Sequence, residues 1–306
     1  MNALRLGLIG AGHWGRAYIK TLAQVPGLVL AKVASRNPET RALAGPDCAV
    51  SAGWETVAQA KDLDGIIIAT PPALHSAMTA ACLESGLPVL VEKPLTMDAS
   101  EAKSLLELAR RKRGYVLVDH IYLFHPAYIE LKNRARALGM PQLISSAGGR
   151  EGPFRDDAPP LWDFGAHDVA MAVDFMGETP KAVQAAFRPQ RKGELIDIRL
   201  DFTGGIQARL CVGNGYTRRE RMFCVRFRER ALTLDDAGPK LLVLSDLDQY
   251  GRPQNAEEIK VEKTLPLTRA VEAFAAGIRA GSKDLSSLEL GVSVVDILEK
   301  CASQRK

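Results

Sequence analysis

Hydrophobic residues in the first 120 positions fall into short runs that alternate with longer amphipathic stretches. The runs are almost wholly apolar, as expected for strands buried on both faces of a parallel sheet. They span residues 4–9, 28–34, 65–69, 88–91 and 115–118. The stretches predicted as helices span residues 13–22, 73–85 and 99–111. Strands that alternate with helices of this length predict βαβ units, with helices on both faces of the sheet.

The pattern changes near residue 120. After a predicted helix over residues 126–138, several segments alternate apolar and polar residues, which is typical of half-exposed antiparallel strands. These segments span residues 142–147, 183–188, 196–202, 206–212, 222–227 and 241–244. Gly204 and Gly205 predict a hairpin turn, and two helices, over 267–279 and 288–302, close the chain. We therefore expect two domains: a parallel α/β domain over 1–119, and an α+β domain over 120–306 with an open, largely antiparallel sheet.

Composition agrees with two ordinary globular domains. The chain has 306 residues, 46% hydrophobic and 25% charged, which excludes disorder as its main state. A net charge of +4 is too small to indicate nucleic-acid binding. The chain has no apolar run of about 18 residues, and its N-terminus does not follow the signal-peptide pattern. Its five scattered cysteines fit neither a disulfide framework nor a metal site. We expect a cytoplasmic protein without a membrane span or a bound metal.

A glycine-rich loop follows the first strand and opens the first helix. Its residues Gly10, Gly12 and Gly15, with His13 and Trp14 between them, match the G-x-G-x-x-G arrangement in the context that makes it meaningful. The first glycine permits a tight turn, the second lets the backbone approach a pyrophosphate, and the third lets helix and strand pack closely. The helix N-terminus offers free N–H groups to the anion. The first domain is therefore predicted to be a Rossmann domain that binds a dinucleotide, although such a turn can also exist without a ligand.

The end of the second strand bears on which dinucleotide is bound. An acidic residue is expected there for NAD, because a carboxylate accepts a hydrogen bond from the ribose 2′-hydroxyl. This chain has Ser35 at that position, followed by Arg36. A guanidinium pairs with a 2′-phosphate, so NADP is favoured over NAD. Alternatively, Arg36 is a solvated loop residue, or it stacks on the adenine and leaves both cofactors usable.

Three further motifs make the pattern specific. Thr70, Pro71 and Pro72 with His75 follow one predicted strand, Glu92-Lys93-Pro94 follows the next, and Trp162-Asp163-Phe164-Gly165-Ala166-His167-Asp168 lies further on. Together with the glycine loop, this ordered set resembles the glucose–fructose oxidoreductase/inositol dehydrogenase/MocA family. The resemblance covers essentially the whole chain.

The resemblance implies reversible oxidation of a secondary alcohol, usually on a sugar or cyclitol, with a nicotinamide cofactor. It implies that Lys93 touches both the nicotinamide ribose and the substrate, and that the Lys93–Pro94 bond is cis. It further implies that His167 is the acid/base and that Asp163 supports it or holds substrate. It places four more residues in the cofactor site: Thr70, Pro71, His75 and Glu92.

The residue types suit this chemistry in their own right. An imidazole with a pKa near working pH can take the hydroxyl proton as hydride leaves. On a helix, Asp163 and His167 share one face, and Lys93 supplies positive charge beside a developing alkoxide. Each has an alternative: Lys93 as a surface lysine, His167 as a core histidine, and Asp163 as a helix N-cap. Asp168 and Asp174 are predicted to be helix-surface or salt-bridge residues.

Substrate contacts are predicted where the last parallel strand ends. His120 and Tyr122 follow that strand, with His125 just beyond, although Tyr122 and His125 could equally belong to the core. Arg150 could clamp an anionic group of the substrate or be solvated. The loop over 151–160 is a candidate lid. The Trp-Asp-x-x-x-His-Asp motif over 162–168, together with the stretch over 120–127, is similar to family members thought to act on nucleotide sugars. The candidate substrates are therefore a sugar, a cyclitol or a nucleotide sugar.

Other functions compete with this interpretation. One is a catalytically silent dinucleotide-binding regulator or scaffold, because a fold does not guarantee an activity. Another is a periplasmic enzyme with a permanently bound cofactor. No nucleic-acid or membrane partner is expected. The half-exposed strands of the second domain leave a sheet face to be covered, which predicts a homodimer or homotetramer assembled through that sheet.

Overall fold

The computed structural model describes residues 3–152, 154 and 157–305. Two compact units are present: the chain up to Ile121 together with Pro266–Val295, and Tyr122–Leu265 together with the residues from Asp296 onward. Each unit is organised around one sheet. Among the described residues, no helix is both long and apolar enough to cross a membrane.

The sheet of the first unit is parallel throughout. Its strands in the described chain are β1 (Leu4–Ile9), β2 (Leu28–Ala34), β3 (Ala49–Ser51), β4 (Gly65–Ile68), β5 (Val89–Glu92) and β6 (Val116–Asp119). They lie in the order β3-β2-β1-β4-β5-β6, with every neighbouring pair parallel. This is the Rossmann order, and it confirms the predicted fold. The order reverses between β1 and β4, where open α/β sheets bind ligands at the strand carboxyl ends.

Helices connect these strands and continue through the second unit. Along the described residues the α-helices are α1 (His13–Leu22), α2 (Thr40–Ala44), α3 (Glu55–Ala58), α4 (His75–Glu84), α5 (Ala99–Lys112), α6 (Pro126–Ala135), α7 (Ala166–Met176), α8 (Pro266–Arg279) and α9 (Ser286–Ala302). Side chains at both ends of α5 show how such a helix begins and ends. Asp98 caps α5 by accepting hydrogen bonds from the backbone N–H groups of Ser100 (2.8 Å) and Glu101 (2.9 Å). Basic residues fill the last turn of α5, where the helix dipole favours them.

The sheet of the second unit is open and mostly antiparallel, as predicted. Its strands in the described residues are β7 (Leu143–Glu151), β8 (Ala182–Pro189), β9 (Glu194–Asp201), β10 (Gln207–Gly213), β11 (Gly215–Arg226), β12 (Arg230–Asp235), β13 (Leu242–Leu247) and β14 (Pro253–Glu258). The order is β14-β13-β12-β11-β7-β10-β9-β8, and only the β10–β7 pair of this described sheet is parallel. The hairpin at Gly204 and Gly205 is confirmed, with φ of 73° and 77°. It is closed by a 2.8 Å bond from the Phe202 N–H to the Ile206 carbonyl.

The two faces of this sheet differ in character. One face carries the core, as shown by the buried residues Ile196, Ile198 and Leu200 of β9, and α6 and α7 pack against the sheet. The opposite face mixes exposed arginines with small or flexible side chains that are half-buried. Ala147 pairs with both Cys211 and Met222 across the middle of that face. The outer face is therefore less apolar than the alternating sequence pattern suggested.

Candidate active site

The glycine loop has the shape that a pyrophosphate site requires. Gly10 has φ +95°, and a Cβ there would lie 2.7 Å from the carbonyl oxygen of Ala69. A Cβ at Gly15 would overlap the carbonyl oxygen of Gly10, so helix and loop can approach closely only with glycine here. A Cβ at Gly12 would meet no protein atom within 4 Å. Helix α1 begins directly after Gly12, with no side-chain cap and no acidic residue in its described first turn. Its free N–H groups therefore face open space, which suits a bound anion.

A cavity of ≈ 800 Å³ lies over this loop. Among its lining residues are seven predicted to bind the cofactor: Gly10, Gly12, His13, Ser35, Arg36, Thr70 and Pro71. Five other predicted residues are not among those that line it: Trp14, Gly15, His75, Glu92 and Lys93. The lining residues that were not predicted include the polar and aromatic side chains of Arg16, Asn37 and Trp54. A cleft of this size at the switch point of a Rossmann sheet fits a dinucleotide.

The cavity is lined by two arginines near the end of β2 and the start of α1. Arg36 is exposed at the end of β2, and Arg16 lines the same cavity from α1. Arg16 forms a 3.0 Å ion pair with Glu39, which is itself largely exposed. Ser35 Oγ accepts a hydrogen bond from the Thr40 hydroxyl (2.8 Å), so the serine is part of the turn that presents Arg36. These guanidinium groups can pair with a 2′-phosphate.

Removing Arg36 should therefore change cofactor preference. In Arg36→Ala we expect the Kd for NADP⁺ to rise about 10–100-fold, the range of a lost charged hydrogen bond, while the Kd for NAD⁺ changes little. Fluorescence titration with each cofactor measures both values. Arg41→Ala removes an arginine of α2 that is not among the lining residues and is the matched control. Equal losses for both cofactors would show that Arg36 does not read the 2′-phosphate.

His75 has a structural position in this unit. Its ring is fully buried, and its nitrogens lie 2.9 Å from the carbonyl oxygens of Pro94 and Thr70. Both partners are acceptors, and a neutral ring can donate to only one of them. Burial is the main cause that lowers the pKa of His75, and the contacts with the Pro94 and Thr70 carbonyls oppose it. The ring lies between the loops that follow β4 and β5. Its direct contact with a cofactor stays a prediction. The Lys93–Pro94 bond is cis, as the resemblance implies.

Lys93 lies at the carboxyl end of β5 and is only 8% exposed, so the surface alternative is wrong. Beside it are two buried carboxyl groups, Glu92 and Asp119, which share contacts with the Tyr18 hydroxyl. Burial, and then the charge of Asp119, raise the pKa of Glu92 to about 8. Burial raises the pKa of Asp119 to about 6, opposed by the Tyr18 hydrogen bond and by Lys93. Sequence analysis named Lys93 and Glu92 here but missed Tyr18 and Asp119.

His120 is buried at the end of β6, and neither ring nitrogen has a hydrogen-bond partner among the described residues. Burial, and then the positive charge of Lys93, lower the pKa of His120 to about 3. The ring is therefore neutral at pH 7 and keeps one donor and one acceptor. Buried polar atoms left unsatisfied are costly. A hydroxyl-bearing ligand could satisfy them, and the predicted substrate contact of His120 stays a prediction.

In the second unit, Asp163 lies in a π-helical turn, Leu161–Gly165, which leads directly into α7. The N-cap alternative for Asp163 is wrong, because the N-cap position of this turn is Pro160. A π turn interrupts the regular α-helical spacing assumed for Asp163 and His167, and such turns are frequent at functional sites. His167 is in the first turn of α7 and half-buried.

The ring of Tyr122 connects His167 to a buried ion pair. The Tyr122 and His167 rings meet edge-on, with centroids 5.0 Å apart. The Arg221 guanidinium lies 3.8 Å from the Tyr122 ring centroid, a close cation–π contact. Arg221 Nη1 is 2.7 Å from Asp168 Oδ2, and Asp168 is fully buried. The salt-bridge interpretation of Asp168 is thus confirmed.

Glycine makes room for this pair. A Cβ at Gly148 of β7 would lie 2.6 Å from both Arg221 Nη1 and Asp168 Oδ2. Burial acts to lower the pKa of Arg221, but the neighbouring acidic groups, Asp168 first, raise it overall, so the guanidinium stays charged. Burial is also the main cause that lowers the pKa of His125, and Arg221 adds to the effect. The charge of Arg221 therefore acts on His125 as well as on the Tyr122 ring.

Other predicted residues of this unit have separate positions. His125 is the N-cap of α6, where its Nδ1 accepts the Ala127 N–H at 3.1 Å. Asp174 pairs with Lys132 at 2.7 Å, which confirms its salt-bridge interpretation. Arg150 is exposed near the end of β7, and its clamping role stays a prediction. In the candidate lid over 151–160, residues 153, 155 and 156 lie outside the described part of the chain.

Sequence analysis missed Arg221, although a signal was present. Buried positions alternate along β11, so that Arg221 is in phase with the core residues Phe223 and Val225. An arginine in the inward phase of a strand needs a buried partner. That partner, Asp168, is 53 positions away, and the sequence alone does not identify it.

The fold and the glycine loop define a dinucleotide-binding Rossmann protein, and comparison with known proteins specifies the family. Residues 4–120 match the model of an oxidoreductase family with an NAD-binding Rossmann fold, named for Gfo, Idh and MocA. The chain belongs to this family, as the sequence resemblance indicated. It is therefore an NAD(P)-dependent oxidoreductase that acts on CH–OH groups.

Relatives extend the match over the whole chain. A dTDP-3,4-didehydro-2,6-dideoxy-alpha-D-glucose 3-reductase from Streptomyces violaceoruber is 29% identical, over 91% of this chain and 86% of that protein. A UDP-N-acetylglucosamine 3-dehydrogenase from Acidithiobacillus ferrooxidans is 29% identical, over 60% of this chain and 58% of its own length. The crystal structure of a supposed oxidoreductase from Magnetospirillum magnetotacticum MS-1 is 36% identical. It has a TM-score of 0.91 and covers 98% of this chain and 100% of that one.

Proposed function

We propose that the protein transfers hydride reversibly between a nicotinamide cofactor, preferably NADP, and a secondary alcohol of a nucleotide sugar, with free sugars and cyclitols as further candidates. The observation that carries the proposal is the buried ammonium of Lys93, at the same carboxyl edge of the sheet as the glycine loop. A buried lysine there is a preorganised positive charge for an alkoxide. When bound, the cofactor would supply the hydride acceptor or donor.

Each candidate residue has a proposed role. Lys93 stabilises the negative charge that develops on the alcohol oxygen. His167 takes the hydroxyl proton during oxidation and returns it during reduction, and Asp163 orients its ring. Three residues are proposed to contact the substrate: His120, Tyr122 and Arg150. Of these, His120 is supported by its two unsatisfied ring nitrogens, and Tyr122 by its ring contact with His167.

The names of the two curated relatives support a nucleotide sugar as substrate. One is a reductase of a dTDP-linked sugar and the other a dehydrogenase of a UDP-linked sugar. Both names place the oxidation or reduction at position 3 of the sugar. A neutral buried histidine such as His120, with one donor and one acceptor, suits hydrogen bonding to the polar groups of a sugar ring.

The test is turnover with a panel of sugars, cyclitols, and UDP- and dTDP-sugars, followed by absorbance of the reduced cofactor. We expect turnover with at least one nucleotide sugar and faster rates with NADP⁺ than with NAD⁺. Cofactor binding without turnover across the whole panel would contradict the proposal and favour a silent dinucleotide-binding protein.

His167→Asn should lower kcat about 10²–10⁴-fold, because proton transfer by a positioned group contributes that much. It should also remove the ionisation that limits the rate near neutral pH, because asparagine does not titrate. The measurement is the pH profile of kcat/KM for both proteins. His13→Asn changes a histidine proposed only to line the cofactor cavity. Its pH profile should keep the change in kcat/KM near neutral pH. An unchanged profile in His167→Asn would remove this residue from the role of base.

We also propose a cytoplasmic location and a homodimer or homotetramer assembled through the outer face of the second unit's sheet. The location is proposed from the five scattered cysteines, which suit a reducing compartment. The assembly is supported by the half-buried row that joins Cys211, Ala147 and Met222 across that face. Small side chains in the middle of a sheet allow close approach of a second sheet.

Light scattering at micromolar concentration should therefore give the mass of a dimer or tetramer. Ala147→Arg places a charge in the middle of the face and should shift the mass towards the monomer. Ala280→Arg, at an exposed position after α8, should leave the mass unchanged. A monomeric wild-type protein would contradict the proposed assembly.

A further inference from the structure

The Tyr18 hydroxyl lies between two buried carboxyl groups. Its oxygen is 2.5 Å from Asp119 Oδ2 and 3.3 Å from Glu92 Oε1. A hydroxyl has one hydrogen, and ionised carboxylates only accept. Both contacts are hydrogen bonds at once only if one of the two carboxyl groups is protonated and donates to the Tyr18 oxygen. On Glu92, Oε2 accepts the backbone N–H of Lys93 at 3.2 Å, so a proton on this carboxyl group belongs on Oε1, which faces Tyr18.

These three residues, called here the Tyr18 cluster (Tyr18, Glu92, Asp119), are buried to 0%, 6% and 1% exposure. The charged group facing them within the first unit is the Lys93 ammonium, which favours ionisation of both carboxyl groups. The nearby His120 has a lowered pKa and is neutral at pH 7. Two ionised carboxylates so close together in a buried site repel strongly. The raised pKa values of Glu92 and Asp119 agree with one shared proton at neutral pH.

We propose that the Tyr18 cluster is a charge-compensating proton site for the cofactor. It holds one proton between Glu92 and Asp119 while the nicotinamide ring is absent or reduced, and it releases that proton when an oxidised, positively charged ring binds beside Lys93. Tyr18 is a positioning residue, because its hydroxyl fixes which carboxyl group carries the proton.

The physical reason is the balance of charge in a buried site. With one proton in place, the cluster carries one negative charge, which matches the single ammonium of Lys93. An oxidised nicotinamide ring adds a second positive charge, and the site is balanced again when the proton leaves. A reduced ring is neutral and requires no such change. The inference rests on the proposed function: if Lys93 stabilises the reacting alcohol oxygen, the nicotinamide ring that exchanges hydride with that alcohol must bind beside it.

The experiment compares the binding of NADP⁺ and NADPH as a function of pH. Both forms carry the same phosphates, so the ratio of their dissociation constants cancels phosphate titration. We expect the dissociation constant of NADP⁺, relative to that of NADPH, to fall by up to tenfold per pH unit between about pH 6 and pH 8. Above pH 8 the ratio should level off, because Glu92 then loses its proton without bound cofactor. Calorimetry in buffers of different ionisation enthalpy should show close to one proton released with NADP⁺ and none with NADPH at pH 7.

Three variants isolate the cluster. Asp119→Asn and Glu92→Gln each leave a single carboxylate opposite Lys93, and both should remove the pH dependence and the proton release. Tyr18→Phe keeps both carboxyl groups and should shift the pH range without abolishing the release. Asp98→Asn makes the same chemical change at the N-cap of α5, where asparagine also caps well, and should behave as wild type. Circular dichroism confirms that each variant is folded.

Lys93→Met separates this inference from the proposed function. With the ring beside Lys93, loss of the ammonium should favour NADP⁺ over NADPH at pH 7. An unchanged ratio in Lys93→Met would overturn both the placement of the ring and the inference. A changed ratio in Lys93→Met, together with wild-type pH dependence in both Asp119→Asn and Glu92→Gln, would overturn the inference alone. A pH-independent ratio in the wild-type protein would also overturn it.

Discussion

Lys93→Met should lower kcat about 10²–10³-fold and leave the fold intact. A preorganised charge that stabilises a developing oxyanion has an effect of that size when it is removed. Methionine has nearly the length of lysine, and the position is only 8% exposed, so the replacement keeps the packing. Steady-state kinetics with the best substrate of the panel gives kcat and KM, and circular dichroism tests the fold.

Lys20→Met provides the matched control, since Lys20 is an exposed lysine in the last turn of α1. It should have wild-type kinetics. A Lys93→Met enzyme within a factor of three of wild type would show that the ammonium does not stabilise the reacting oxygen. In that case the buried lysine would be explained by its neighbours Glu92 and Asp119 alone.

Asp168→Ala should destabilise the protein by about 3–5 kcal/mol, because it leaves the buried Arg221 guanidinium without its counter-ion. Urea unfolding followed by circular dichroism measures the change in free energy. The loss is a penalty for an unpaired buried charge and does not measure the net value of the pair. Replacing both partners, as Asp168→Leu with Arg221→Met, should therefore recover most of the lost stability.

A surface ion pair gives the contrast. Asp62 is half-exposed and pairs with Arg5 and Lys32, so Asp62→Ala should cost far less stability than Asp168→Ala. An Asp168→Ala variant as stable as Asp62→Ala would contradict the assignment of Asp168 and Arg221 as a buried pair. The double variant also lacks the contact of Arg221 with Tyr122. If its stability recovers, its activity shows whether that contact matters for activity apart from stability.

Much of the first unit could be predicted because its strands are short, apolar and separated by helices. The bounds of β1, α1 and β2 agree with the sequence pattern residue for residue. Strand β3 was missed because it has only three residues, and β14 because all six of its residues are exposed. Periodicity detects a buried face, and neither of these two strands has one. Strand β12 was also missed, although its residues Ala231, Leu232 and Leu234 are buried.

The site was predicted only where local motifs mark it. The glycine loop, Lys93 and His167 lie in recognisable stretches, and the sequence named them. The Tyr18 cluster joins α1, β5 and β6, with Tyr18 and Asp119 separated by 101 positions. Such groups meet only because parallel strands end at one edge of the sheet. The π turn at Asp163 was missed for a different reason: its residues resemble an ordinary helix start, and one extra backbone position leaves no mark in composition.

The polar strand β14 has a consequence for how the protein behaves at high concentration. It forms one border of the eight-stranded sheet, where unpaired backbone groups can recruit a strand from another molecule. Pro253 lacks a donor, and Glu257 and Glu258 place negative charge at the other end of this border. A second copy aligned parallel to this border would bring its Glu257 and Glu258 against these glutamates, and an antiparallel copy would bring Pro253, which cannot donate, opposite them. The outer face of the sheet can thus serve self-association while its β14 edge resists the edge-to-edge pairing that builds fibres.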